Sequence, residues 1–384
     1  MEHILVLSLS DLASDPRPHR QLRFLQDRFR VTAAGLGDPR LERVAFVPLA
    51  LSSRTRRRLR YATLPLGRYE RYYWGSREVQ TGLTRLADVH PDLVVANDID
   101  TLPLALEIAK GAPVIFDAHE YAPRERDGDW LWKFVFASYR SYLCRTYIPR
   151  VTGMITVCPT IAETYTRDTG VTPIVMTSAP DFEDLEPIPH DGRRPVRLVH
   201  HGIAHRHRRL ETMIRMMDQL GDGFTLDFLL KEYSRDYLAQ LRQRAAGNPR
   251  IRFLEPVPMR ELSRFLNQYD VGLYILEPRS FNDRCALPNK FFEFIQARLA
   301  IAIGPSPEME RYVRKYDLGI VARDFTPEAM AEELRTLSPG RLNDYKRRSH
   351  AAARELSSGP NKQKFLALVD QALRSRPCAA SQPS

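Results

Sequence analysis

The stretch Leu287 to Phe294, reading Leu-Pro-Asn-Lys-Phe-Phe-Glu-Phe, concentrates residue types that hold phosphate and ribose. Pro288 suits the first turn of a helix, where backbone amides lack partners inside the helix and attract anions. Lys290 adds a positive charge there. Glu293, one turn on and near the face of Asn289 and Lys290, can accept hydrogen bonds from ribose hydroxyls. The same spacing also describes a capped amphipathic helix with an exposed glutamate. His119, in Asp117-Ala118-His119-Glu120, follows an apolar run. An imidazole titrates near working pH and can act as a general base, or it can simply be satisfied by neighbouring backbone. Asp98 and Asp100 form an Asp-x-Asp. Two acids so spaced can hold Mg or Mn against a diphosphate, orient an acceptor, or cap a helix starting near Thr101. Acceptor orientation or capping is expected over metal ligation, and no metal site is assigned. His200, His201, His205 and His207 run from a strand into a helix without a shared face, so phosphate contact or solvent exposure is expected rather than a metal cluster. No Gly-x-Gly-x-x-Gly follows the first strand and no Walker-type lysine motif occurs, which argues against a dehydrogenase and a P-loop enzyme.

These residues sit at the ends of short apolar runs. Ile4 to Leu9, Val31 to Ala34, Leu93 to Ala96, Pro113 to Phe116 and Met154 to Val157 read as buried parallel strands. Helices fall between them over Pro16 to Arg28, Thr101 to Lys110 and Trp130 to Tyr147, the rhythm of a doubly wound sheet. Asp15 is placed to cap the first of these helices, with Pro16 in its first turn. The pattern stops in the proline-rich, acidic stretch from Ser178 to Pro195. It resumes with strands at Val196 to His201, Phe224 to Leu230, Val271 to Ile275 and Ala300 to Ile303, and a helix over His207 to Leu220. Asn361 to Leu373 is a last amphipathic helix. The division expected is residues 1–180 as a first domain rejoined by a helix over 360–376, a linker at 181–195, and 196–358 as a second domain. At 384 residues the chain exceeds what one core usually organises. Ligands in such folds bind at strand carboxyl ends, so Arg17, on the loop after the first strand, is expected to face an acceptor.

Composition sets the remaining bounds. Hydrophobic residues are 43% and charged residues 27%, as in soluble globular proteins. No apolar run approaches the roughly 20 residues that span a bilayer, and Met1 to Ser10 lacks the basic region and cleavage site of a signal peptide. Cys144, Cys158, Cys285 and Cys378 show no paired spacing, which fits a reducing, cytoplasmic setting. The net charge of +10 is partly local: Arg54 to Arg77 holds eight arginines against one glutamate, Glu70, interleaved with tyrosines and Trp74. That mixture suits an anionic membrane surface or a solvated helix face, and without a nucleic-acid motif it does not indicate nucleic acid.

With these motifs in hand, the chain resembles the family 4 glycosyltransferases, in particular those with a Pro-Asn-Lys-Phe-Phe-Glu-like signature. The likeness extends over nearly the whole chain through Ser14-Asp15-Pro16-Arg17, Asn97-Asp98-Ile99-Asp100-Thr101-Leu102-Pro103, Phe116-Asp117-Ala118-His119-Glu120, and His201-Gly202 followed by Arg208-Arg209-Leu210-Glu211. The resemblance implies an α/β chain of the GT-B type, two doubly wound Rossmann-like domains facing a central cleft. It implies retaining, metal-independent hexosyl transfer from a nucleotide diphosphate sugar, UDP- or GDP-linked, with no further cofactor. The acceptor would be a glycan, a lipid-linked molecule or a small molecule, and the enzyme cytoplasmic or peripheral on the inner face of the membrane. Gly202, Arg208, Lys231, Pro288, Asn289, Lys290 and Glu293 would hold the donor; His119, Arg208 and Lys231 would act on the transferring group; Asp15, Arg17, Asp98, Asp100 and Glu120 would lie on the acceptor side. Glu293 matches the second glutamate of the family's Glu-x7-Glu motif, whereas the first falls on Cys285, and the family's glycine after Arg208 is Arg209 here. A sugar-nucleotide epimerase of the same fold and a catalytically silent nucleotide-sugar-binding protein are the competing readings.

Overall fold

The computed structural model describes residues 1–50, 61 and 64–375. The chain divides into two compact units: Met1–Thr177, Ser280–Asn282 and the chain from Asn361 onward in the first, Ser178–Arg279 and Asp283–Pro360 in the second.

The first unit is built on β1 (His3–Leu7), β2 (Arg30–Gly35), β3 (Val44–Pro48), β4 (Leu93–Asn97), β5 (Val114–Ala118), β6 (Gly153–Thr156) and β7 (Ile174–Val175), in the order β3-β2-β1-β4-β5-β6-β7. Every pairing is parallel. β1, β4 and β5 are buried along their whole length, so neither face accepts a polar alternation and the runs are continuously apolar. The order reverses between β1 and β4, whose ends are aligned by the pairing of Leu7 with Ala96. Loops leaving these two strands diverge and open a crevice. Asp15 caps the Pro16–Leu25 helix by accepting from Arg17 N, as expected, and Leu22 and Leu25 turn into the core. The Trp130–Tyr147 helix has its expected bounds, fixed at its start by Asp129, which accepts from Leu131 N and Trp132 N. The last helix, Ser358–Arg374, brings Phe365, Leu368, Val369 and Ala372 onto the same core as Ile4, Val6 and Val31. Gly153 makes this approach possible, since a Cβ there would lie 2.8 Å from Leu368 Cδ1.

The second unit repeats the plan with β8 (Val196–Ala204), β9 (Phe224–Glu232), β10 (Ile251–Leu254), β11 (Val271–Tyr274), β12 (Ala300–Ile303) and β13 (Gly319–Val321), ordered β10-β9-β8-β11-β12-β13 and again all parallel. Its order reverses between β8 and β11. The helix expected over His207 to Leu220 starts only at Glu211, because a 3-10 turn at Arg206–Arg208 ends on Arg209 in the left-handed region at φ 45°. Residues Ser178 to Pro195 form no helix or strand. The buried Arg298 holds that segment through the Leu185 carbonyl at 3.0 Å, and Arg194 pairs with the buried Asp270 at 2.5 and 2.9 Å. Among the described residues no helix is long and apolar enough to cross a membrane.

Candidate functional site

In the second unit the reversal of strand order falls beside Gly202, whose φ of 131° favours glycine. The absent side chain matters as much as the dihedral. A Cβ there would stand 2.7 Å from Lys290 Nζ and 3.1 Å from Arg208 Nη1, so two cationic side chains converge on space that only glycine leaves open. Arg208 closes the 3-10 turn after β8, and Lys290 belongs to the first turn of the Asn289–Gln296 helix. Lys290 Nζ is buried, donates to the His201 carbonyl at 2.7 Å, and lies 5.4 Å from the centre of the Tyr274 ring. Burial, and then the neighbouring Arg208, hold the Lys290 ammonium well below the usual lysine range, against the pull of Glu293. Burial followed by Lys290 and Arg208 likewise pushes His201 well below the usual histidine range. An anion placed here would meet an excess of positive charge with little water to compete.

Glu293 is buried with Oε2 3.2 Å from His201 Nε2. Pro288 corrects the expectation of a first-turn proline: it precedes the first turn as the cap residue at φ −73° and ψ 153°, and its ring offers no side-chain cap. Asn289 opens the helix, and the amide-rich start is not capped by a side chain. Next to this lies a pocket of about 420 Å³ whose lining includes His205, Arg208, Tyr233, Tyr274, Leu276 and Pro288. Lys231 sits apart from the lining, exposed on β9 opposite Ile203. Cys285, where a glutamate was expected, is a buried thiol.

In the first unit two pockets, of about 390 and 100 Å³, adjoin through shared walls of Asp100, Glu125 and Arg140. The larger is bounded by Tyr61, Tyr72, Tyr73, Trp132, Phe136 and Tyr139. Their rings interlock edge to face, Tyr61 with Phe136 at 5.0 Å and Tyr72 with Tyr139 at 4.9 Å. Glu70 ties the Tyr69–Trp74 helix to Trp130–Tyr147, accepting from Trp74 Nε1 at 2.6 Å, Tyr142 Oη at 2.6 Å and Tyr147 Oη at 2.8 Å. Arg140 bridges Asp100 at 2.6 Å and Glu125 at 3.1 Å, and its buried Nε has no hydrogen-bond partner among the described residues. Glu120 lines the smaller pocket, where burial, then Glu125 and Asp98, raise its carboxyl to about 8.

The acceptor-side residues take roles that partly depart from expectation. Arg17 does not point a free guanidinium at a ligand. It grips Asp117 through two bonds of 2.8 and 2.7 Å and the Met176 carbonyl at 2.9 Å, because the buried Asp117 carboxylate requires a counter-charge. Neither Asp98 nor Asp100 caps the Leu102–Ala109 helix, which has no side-chain cap. Asp98, at φ 64°, meets His119 instead, and Asp100 meets Arg140. His119 is engaged at both ring nitrogens, Nδ1 3.3 Å from Asp98 Oδ2 and Nε2 3.1 Å from Asn97 Oδ1. No group of three or more His, Cys, Asp or Glu able to hold a metal occurs among the described residues. Arg140 and Glu125 escaped the sequence reading, their one signal an arginine within the aromatic run Trp130–Tyr147; Tyr61, Tyr72 and Tyr73 of the aromatic wall belong to the basic, aromatic stretch read there as a membrane-facing or solvated surface rather than a pocket wall.

No family model and no curated protein matches the sequence. Solved structures match in shape. Sucrose-phosphate synthase from Thermosynechococcus elongatus gives a TM-score of 0.75 at 12% identity, covering 97% of this chain and 100% of that one. HepE from Anabaena in complex with UDP-glucose gives 0.72 at 13% identity, covering 97% and 100%. An α,α-trehalose-phosphate synthase (UDP-forming) from Burkholderia vietnamiensis gives 0.66 at 13% identity, covering 97% and 100%. This chain has the α/β fold of the GT-B type, with two Rossmann-like domains in tandem.

Proposed function

We propose that this chain is a glycosyltransferase that moves a sugar from a nucleotide diphosphate donor, UDP- or GDP-linked, with retention of configuration and without a metal. The observation that carries the reading is the convergence of Lys290 Nζ and Arg208 Nη1 on Gly202 at the start of an uncapped helix. A departing diphosphate gains negative charge as the glycosidic bond breaks. Fixed cations and helix amides aimed at that charge lower the barrier without rearranging, which is the work a metal would otherwise perform. The Asn289–Gln296 helix and the 420 Å³ pocket offer room for ribose and base, with Glu293 near the former. UDP-glucose in HepE and the UDP-forming description of the trehalose-phosphate synthase support the choice of donor class.

The acceptor is assigned to the aromatic pocket of the first unit, where Asp100, Glu125 and Arg140 can orient hydroxyls. His119 serves to position the sugar or its phosphate; with both nitrogens engaged it is a poor general base, and in a retaining reaction the leaving phosphate can itself take the acceptor proton. Lys231, exposed on β9 opposite Ile203, is left a supporting part. Association with an anionic membrane surface belongs to the same reading. Of the basic stretch that first indicated it, Arg54, Arg56, Arg57, Arg58 and Arg60 lie outside the described residues, while Arg68, Arg71 and Arg77 are exposed.

The test is transfer from labelled UDP- and GDP-hexoses in EDTA to a lipid extract and to a panel of free saccharides. Nucleoside diphosphate release with a labelled product, lost in Arg208→Gln and Lys290→Met, is expected. Nucleotide binding with no turnover under any acceptor would support the silent binding protein instead. An inverted anomeric carbon in the product, read by NMR, would contradict retention.

A further inference from the structure

Near its carboxyl end β8 carries two adjacent histidines with different employment, because consecutive side chains of a strand face opposite sides of the sheet. His200 is wholly buried, and its Nδ1 donates to the Leu273 carbonyl of β11 at 2.8 Å, an anchor within the sheet. His201 turns toward the Asn289–Gln296 helix and meets three of its residues. Its carbonyl accepts from Lys290 Nζ at 2.7 Å, its ring stands edge-on to Phe294 at 5.2 Å, and its Nε2 lies 3.2 Å from Glu293 Oε2. The residue next to Gly202 thus touches both the cation and the carboxylate of the nucleotide site.

The imidazole has one contact left to complete. Its side chain is 9% exposed, and among the described residues Nε2 has no hydrogen-bond partner, since the Glu293 oxygen is within reach but out of line. A buried ring nitrogen without a partner is costly, and a carboxylate at the end of a rotatable side chain is a group that can swing into line. Burial, then Lys290 and Arg208, hold the ring well below the usual histidine range, so at physiological pH it is neutral and carries one proton. Because a carboxylate only accepts, that proton belongs on Nε2, facing Glu293. A carboxylate has about four lone-pair sites, so one directed at Nε2–H orients the group and still leaves it able to accept from a vicinal diol.

We infer that His201 is a positioning residue for nucleotide recognition: its Nε2–H sets the Glu293 carboxylate to receive the two ribose hydroxyls, while its carbonyl holds Lys290 for the diphosphate. The inference rests on the donor site proposed above and adds to it the group that orients the ribose contact.

His201→Phe keeps a ring against Phe294 and the backbone carbonyl that holds Lys290, and removes the N–H; His201→Gln restores a donor. Titration calorimetry in EDTA with UDP, GDP and the 2′,3′-dideoxy form of each reads the ribose contribution as a ratio of Kd values. The wild-type chain is expected to favour the ribonucleotide it binds by at least about tenfold over the dideoxy form, the worth of a hydrogen bond to a charged group. His201→Phe is expected to compress that ratio to within about threefold, as Glu293→Gln does, with the dideoxy nucleotide bound as in wild type. The double variant compresses it no further, and His201→Gln restores most of it. His201→Leu, equally without a donor, takes the place of His201→Phe if the latter does not fold. A wild-type ratio retained in the donor-free variant overturns the inference. Equal weakening of both nucleotides there also overturns it, by reducing His201 to a structural part. A ratio near one in the wild type overturns it and removes Glu293 as the ribose contact, while the cationic site of Arg208 and Lys290 stands. Binding of no nucleotide by the wild type removes the donor site itself, and this inference with it.

Discussion

Arg209 shows what a single backbone angle asks of a residue other than glycine. It adopts φ 45°, where a side chain strains against its own carbonyl. The Arg209 guanidinium compensates in part through Glu277 at 2.9 Å, an exposed pair of small worth. Replacing it by alanine and by glycine removes that pair equally, so the difference isolates the backbone: Arg209→Gly should be more stable than Arg209→Ala by about 1 kcal/mol in chemical denaturation. Glu120 supplies a pH-dependent counterpart. Its carboxyl is raised from 4.5 to about 8 by burial first and neighbouring acids second. Between those values the folded chain keeps a proton that the unfolded chain has released, so stability falls as pH rises through this window. Glu120→Gln removes the loss, and its gain in melting temperature over the wild type should grow from pH 4.5 toward pH 8. Pro288, Lys290 and Glu293 were singled out from residue type and spacing, because phosphate and ribose call for a helix start, a cation and a carboxylate, whereas Gly202 and Arg208 were indicated only by the family resemblance. The partners of Arg17 and Arg140 were not, because Asp117 and Asp100 reach them across the fold, and no local pattern encodes contacts separated by a hundred or by forty positions.

Among elements, what the sequence concealed has a common cause. β3, β7, β10 and β13 have no counterpart in the apolar runs, and they are the two edges of each sheet. A central strand is covered on both faces and must be continuously apolar, whereas an edge strand is short and partly wet, as in the half-exposed Val44–Pro48. The central strands, the Trp130–Tyr147 helix and the Ala300–Ile303 strand were plain for the converse reason. Interfaces between elements were readable only as glycines without an assigned purpose. Gly272 on β11 is one: a Cβ there would fall 2.3 Å from Cγ of Phe294, on the helix that carries Lys290 and Glu293. Gly272→Ala must push that helix outward, costing about 1–3 kcal/mol. Weaker nucleotide binding is expected alongside the lower melting temperature; lowered stability with unchanged binding would show that the helix position does not set the site.

For the whole molecule, length and the twofold alternation of strand and helix sufficed to indicate two doubly wound units, and each unit has a pocket at the point where its own strand order reverses. The shared topology explains why the fold is recognisable at 12–13% identity to solved structures. The chemistry is not shared in the same way, since it depends on what occupies the strand ends: Gly202, Arg208 and Lys290 in one unit, the aromatic and acidic wall in the other. Because a ligand that binds only the native state raises its stability by mass action, the central claim is most directly tested by thermal unfolding in EDTA with UDP, GDP, ADP, TDP and CDP, on wild type and Arg208→Gln. A base-selective rise is expected for the uridine or guanosine nucleotide, lost in the arginine variant; an equal rise in that variant, or no rise with any nucleotide, would contradict a donor site at Gly202, Arg208 and Lys290.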